Sequence, residues 1–173
     1  LIQEDLAAYD VSLRELLSAG EPLNPEVIAQ VEASWGATIR DGYGQTETTA
    51  QIANPPGCSI KPGSMGRPMP GIGVGLLERE PNGEVKREPS GAPVLVAETD
   101  KTGELAIRRG WPSMFRGYLG MDERYNSCFV DGWYRSGDLA QRDADGYYWF
   151  VGRTDDVIKT AGHLIGPFEV ESV

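Results

Sequence analysis

Residues Asp41 to Thr49, "DGYGQTETT", crowd two acids, two glycines, a tyrosine and three threonines into one short run. Each type has a use beside a phosphorylated ligand. Gly42 and Gly44 permit close backbone approach or positive φ. The Thr46 hydroxyl can donate to a phosphate oxygen. Glu47 offers a hard oxygen ligand of the kind Mg²⁺ prefers. Tyr43 can stack on a flat ring. Taken alone, the run reads equally as a polar β-turn. Three further stretches share this ambiguity. Gly20, Glu21 and Pro22 in "SAGEPLN" either end a strand or line a ligand. Asp138 in "WYRSGD" is a carboxylate in a glycine-flanked loop. It can accept from both hydroxyls of a ribose, or simply brace a tight turn. Arg153, with Asp155, Asp156 and Lys159 after it, can hold a phosphate or ribose, or form a surface ion-pair cluster.

These residues need elements to place them. "LRELLSA" reads as a short apolar strand leading into Gly20. "NPEVIAQVEASWG" reads as a helix with Asn24 as N-cap, Pro25 in the first position and Glu26 near the positive end. Val27, Val31 and Trp35 recur every fourth residue and define one buried face, and Gly36 stops the helix. "ATIRD" is the next strand. Strand, helix, strand implies a parallel pair, whose ligands gather beyond the carboxyl ends of the strands. "SAGEPLN" and "DGYGQTETT" both follow such ends, so they are expected on one edge of the sheet. From about residue 60 the pattern changes to β structure. "GIGVGLLE", "GELAIRR" and "YYWFVG" read as strands, with hairpin turns at Asn82–Gly83 and Asp145–Gly146. The fold class is therefore α/β: part of a parallel βαβ sheet joined to a small antiparallel β subdomain.

The 173 residues suffice for one domain with a core, and 22 glycines with 12 prolines make turns frequent. A formal net charge of −10 argues against a general nucleic-acid surface. No apolar run is long enough to span a bilayer as a helix. Two cysteines far apart, Cys58 and Cys128, fit a reducing, cytoplasmic compartment. A single histidine, His163, leaves little scope for zinc or for a Ser–His–Asp arrangement. "GPFEVESV" opens like a helix and both ends read as cut, so the chain is expected to be a piece of a longer protein.

In order and spacing, "SAGEP", "DGYGQTETT", "KPGSMGRPMPG", "GELAIR" and "GWYRSGDLAQRDADGYYWFVGRTDDVIKTAGHLIGPFEVES" closely resemble the adenylate-forming acyl-CoA synthetases. The wording is most similar to the medium-chain acyl-CoA synthetase and benzoate–CoA ligase group. The resemblance implies an AMP-forming carboxylate–CoA ligase using ATP, Mg²⁺ and CoA on a medium-chain fatty or aromatic acid. It implies that Gly20, Glu21 and Pro22 line the adenine. Asp41, Gly42, Tyr43, Gly44, Gln45 and Thr46 form the nucleotide loop, with Tyr43 on the ring and Thr46 at the α-phosphate. Glu47 is the Mg²⁺ ligand, and Thr46 and Glu47 are the catalytic candidates. Asp138 grips the ribose with Arg153 beside it. Asp155 is the hinge of a rotating C-terminal domain. Ala161, Gly162 and His163 approach CoA, with Lys159 in the same connector. The implied divisions are 1–58 for the end of a large α/β sheet, 59–154 for a β-rich subdomain, and 155–173 for the hinge and start of a lid.

The family's glycine-rich phosphate loop and C-terminal lysine are not in this chain, so catalysis by it alone is not expected. Leu164 stands where many members carry arginine. Gly44 stands where acetate-specific members carry tryptophan, which implies a longer or aryl acid. Two alternatives remain: an adenylation domain that loads a carrier protein, and a non-catalytic nucleotide-binding or interaction module. A small-molecule carboxylate is the expected partner, and homo-oligomerisation of the whole protein is left open. Cutting a parallel sheet bares strand edges, so the chain alone is expected to self-associate.

Overall fold

The computed structural model describes residues 3–155 and the strand residues 158–160 and 163–165. After a 3-10 turn at Leu6–Ala8, the N-terminal unit contains β1 (Leu16–Ala19), α1 (Pro25–Trp35) and β2 (Ile39–Gln45). Helix α1 forms where the sequence marks it. Asn24 Oδ1 accepts from the Glu26 N–H at 2.8 Å, Pro25 occupies the first turn, and Gly36 ends the helix. Its buried face is Ile28 and Val31, flanked by the half-buried Val27 and Trp35. This face packs on Leu6, Leu16, Leu23 and Ile39. The parallel pair is present, with Leu16 opposite Ile39 and Ala19 opposite Gly42.

The strand boundaries differ from expectation. Of "LRELLSA" only Leu16–Ala19 is strand, and β2 does not stop at Asp41. It runs on through Gly42, Tyr43, Gly44 and Gln45, then turns back as β3 (Thr49–Ala53), antiparallel to it. The supposed polar loop is therefore half strand, because cross-strand partners satisfy its amides and its glycines do not forbid the pairing. With β4 (Arg67–Pro68) the sheet order is β1-β2-β3-β4.

The second unit is antiparallel. It contains β5 (Val74–Leu77), β6 (Gly103–Arg108), β7 (Phe129–Val130), β8 (Trp133–Arg142) and β9 (Tyr148–Arg153). The order is β5-β6-β8-β7, and β9 also pairs with β8. The turn at Asp145–Gly146 joins β8 to β9 as expected, closed by the Gly146 N–H on Asp143 O at 3.1 Å. A short helix, α2 (Asp122–Ser127), has little sequence signal, since Met121 provides no side-chain cap. Strands β10 (Ile158–Thr160) and β11 (His163–Ile165) pair antiparallel.

One core joins the two sheets. Ile52 of β3 and Met65 pack with Leu76, Val96, Leu105, Ala140 and Tyr148 from the second unit. The main chain is joined there too: Met65 N–H donates to Tyr148 O, and Tyr148 N–H to Gly66 O, both at 2.9 Å. A polar staple sits beside this seam. Lys61 Nζ lies 2.6 Å from both Asp143 and Asp145. Burial alone would raise the Asp143 pKa. The Lys61 ammonium, the Tyr147 and Asp145 N–H groups and the Trp149 indole outweigh that and hold it at about 2.

Leu105→Ala, at a fully buried position, should cost ~2–5 kcal/mol in chemical denaturation. Asp143 titrates at about 2 when folded, below the ~3.9 of an unfolded aspartate. Its contribution is therefore complete above about pH 4 and lost as pH falls toward 2. Thermal melts of the wild type and Asp143→Asn should converge over that window; a constant gap would contradict the assignment.

Candidate functional site

Parallel pairing of β1 with β2 brings Gly20 and Gly42 to one sheet edge. Strand β8 of the second unit brings Asp138 to the same place. Between lies a cleft of about 230 Å³ lined by Gly20, Glu21, Pro22, Gly42, Tyr43, Gly44, Gln45, Asp138 and Arg153. Nine of the sequence-predicted residues thus line one cleft. Met65 and Phe150 complete the wall. Met65 lies in the "KPGSMG" stretch and Phe150 in "YYWFVG", both read only as family wording and strand, so neither carried a site signal.

Asp138 is the centre of the cleft and is 4% exposed. Contrary to the loop reading, it lies within β8. Gly137, with φ +76°, turns the strand locally, and its missing side chain leaves the Arg153 guanidinium room to pass. Ser136 Oγ donates to Leu105 O at 2.7 Å and accepts from the Asp138 N–H at 3.0 Å. The carboxylate accepts from Tyr43 Oη at 2.5 Å, Gln45 Nε2 at 2.9 Å and Arg153 Nη1 at 2.9 Å. Burial first, then the Asp138 charge, pushes the Tyr43 phenol well above its ordinary value, so it stays a donor. The Gln45 amide is spanned as well. It donates to Ser136 O and accepts from Tyr134 Oη at 2.8 Å.

Thr46 and Glu47 occupy the β2–β3 turn, closed by the Thr48 N–H on Gln45 O at 3.0 Å. The next residue, Thr49, has φ 62°. A β-branched residue in that region is strained, and such strain gathers at functional sites. Gly44 has a local cause. A Cβ there would stand 1.9 Å from Thr49 O. Hairpin closure therefore accounts for this glycine without reference to acyl-chain length.

A second, open cleft of about 590 Å³ adjoins the first and shares Gln45 and Arg153 with it. Thr46, Glu47, Tyr118, Arg124 and Tyr134 line it. Glu47 Oε1 accepts from Tyr118 Oη at 2.7 Å. Burial, then Glu47, raises the Tyr118 pKa. Among the described residues no group of three His, Cys, Asp or Glu could hold a metal. A single carboxylate still fits Mg²⁺, which takes few protein ligands and completes its shell with water and phosphate. The second oxygen of Glu47 would be that ligand. Tyr118 and Tyr134 were not marked by spacing, because both reach this place from the second sheet unit.

Other residues lie elsewhere. Asp41 is buried behind the cleft. Burial raises its pKa, and the N–H groups of Gly42 and Leu23 oppose that. Asp155 is exposed, with Arg153 Nε 3.4 Å away. His163 is in β11, and Lys159 in β10. Ala161 and Gly162, and the helix expected after Gly166, lie outside the described residues.

Residues 2–119 match the family described as AMP-binding enzyme. The chain belongs to that family. An acetyl-coenzyme A synthetase of Bacillus subtilis (strain 168) is 46% identical over 172 residues, covering 98% of this chain and 28% of the relative. A mitochondrial acyl-coenzyme A synthetase, ACSM3, of Rattus norvegicus is 41% identical over 177 residues, covering 99% and 28%. Among solved structures, the anthranilate CoA ligase AuaEII in complex with anthranoyl-AMP superposes with a TM-score of 0.79 at 33% identity, covering 98% of this chain and 30% of that one. A benzoate CoA ligase from Burkholderia xenovorans LB400 gives 0.76 at 33% identity, covering 96% and 30%. The chain thus spans under a third of the length of these relatives. Among the described residues of this AMP-binding family member, no helix is long and apolar enough to cross a membrane.

Gly44→Ala should open the hairpin. We expect faster amide exchange at Ala50 and Ile52 and a destabilisation of at least ~1 kcal/mol, as for other substitutions that force strain on a tight backbone contact. Unchanged exchange would mean the hairpin accommodates a Cβ.

Proposed function

We propose that this chain is the nucleotide-facing part of an AMP-forming acyl-CoA synthetase acting on a medium-chain or aromatic carboxylic acid. The observation that supports this most is the buried Asp138 between Tyr43 and Arg153, beside the Gly20–Pro22 segment. The adenine would lie between Gly20–Pro22 and the backbone and ring of Tyr43. A carboxylate has about four acceptor positions, and protein donors already take three on Asp138. A ribose diol needs two. Arg153, whose side chain is 45% exposed, is the donor free to swing aside onto the ribose or phosphates. Gln45 and Arg153 then bridge from the adenosine cleft to the phosphate cleft.

In the first half-reaction an oxygen of the substrate carboxylate attacks the α-phosphorus of ATP. The bond to pyrophosphate breaks, leaving an acyl-adenylate. The Thr46 hydroxyl donates to the α-phosphate oxygens as charge builds there. Glu47 would hold Mg²⁺, which when bound neutralises phosphate charge. In the second half-reaction the CoA thiolate attacks the acyl carbonyl and AMP leaves. Asp155 would be the hinge for that exchange, and Ala161, Gly162 and His163 would face CoA. Cys58 and Cys128 are free thiols, which suits the cytoplasm.

Calorimetric titration of the whole protein with a non-hydrolysable acyl-adenylate analogue tests this reading. Asp138→Ala should weaken binding about 10- to 100-fold, the range for a lost hydrogen bond to a charged group. Equal affinity in the two proteins would remove Asp138 from the site.

A further inference from the structure

We propose that Tyr118 is a positioning residue that sets the Glu47 carboxylate for a divalent cation, at the end of a strap, residues 111–118, that clamps the β2–β3 turn. The inference rests on reading Glu47 as the metal ligand. Four contacts carry it. The Phe115 N–H donates to Glu47 O at 2.8 Å. Ser113 Oγ donates to Thr48 O at 2.8 Å, and Trp111 Nε1 reaches the same oxygen at 3.3 Å. Tyr118 Oη then donates to Glu47 Oε1 at 2.7 Å.

The strap therefore holds the turn three times by its main-chain carbonyls and once by its functional side chain. Thr49 Oγ1 adds a bond to Ser113 Oγ at 2.8 Å, directly at the strained φ of Thr49. The strap thus secures a backbone conformation the turn would not hold unaided. The Tyr118 ring is itself fixed on two sides. Phe115 packs against it with centroids 5.1 Å apart, and the Arg124 guanidinium of α2 lies 4.6 Å over its face. A ring packed only for core stability would not need a hydroxyl aimed at a carboxylate. With Oε1 engaged, Glu47 presents its other oxygen in one orientation. Carboxylate ligands are commonly held this way, and losing the outer partner typically lowers metal affinity 10- to 100-fold.

The test uses the full-length protein with Mn²⁺ as probe. Free Mn²⁺ is followed by electron paramagnetic resonance in the presence of a non-hydrolysable ATP analogue. Tyr118 is half-buried, so Tyr118→Phe removes the hydroxyl and keeps the ring packing. We expect its Mn²⁺ dissociation constant to rise about 10-fold, with metal-free AMP affinity unchanged. Glu47→Gln, measured in parallel, should rise at least as far. An unchanged constant in Tyr118→Phe beside a raised one in Glu47→Gln overturns the positioning role and leaves the metal reading standing. Unchanged constants in both overturn the metal reading and this inference with it. A loss of AMP affinity in Tyr118→Phe equal to its loss of Mn²⁺ affinity would mean a general structural effect, which also overturns it.

Discussion

Burying the Asp138 carboxylate costs free energy that only well-placed donors offset. Those donors come from two strands in different sheets, and a further residue fixes the acid's own backbone. Tyr43 and Gln45 reach up from β2, Arg153 comes across from β9, and Ser136 holds the backbone of β8 itself. Had β2 or β9 slipped by one residue within its own sheet, period-2 alternation would turn its side chains to the opposite face. The charge would then be buried without those partners. Register within each sheet, and docking of one sheet on the other, are thereby tied to one acid. The shared core of Ile52, Met65, Leu76 and Leu105 supplies the apolar burial that keeps the sheets together. The acid selects how they meet.

The same logic extends to the turn after Gln45. Within so tight a reversal the Thr48 carbonyl accepts locally from the Gln51 amide. A segment distant in sequence supplies donors to the carbonyls of both Glu47 and Thr48. Thr49 carries the backbone strain, and the glycine at 44 provides the space. Thr46 and Glu47 are thus presented by a β hairpin rather than by a free loop, which would suit the phosphate-facing role proposed for them.

Much of this was legible along the chain. Asn24, Pro25 and Gly36 bound α1 where local capping rules place it, because caps act over a single turn. The parallel β1–β2 pair and the Asp145–Gly146 hairpin were legible for the same reason: their signals are short-range. The ordered motifs pointed to the family that residues 2–119 match. Two boundaries were not legible. Glycine and threonine in "GYGQTETT" have low or mixed strand preference, and cross-strand pairing with β3 and packing on the core overrode it. Asp138 read as a loop residue because Gly137 precedes it, yet a single positive φ inside a long strand suffices to re-aim the next side chain.

The amino-acid order by itself determined α1, the parallel β1–β2 pair and the Asp145–Gly146 hairpin, the family wording and which acids and hydroxyls were available for chemistry. These depend on local propensity and on residue identity, which require no knowledge of distant neighbours. Only the tertiary structure decided that Tyr43, Gln45 and Arg153 converge on one carboxylate, that Asp41 stands behind the cleft, and that Tyr118 meets Glu47. Those contacts join residues up to 95 positions apart. They exist only once two sheets have buried a common core and brought their edges together.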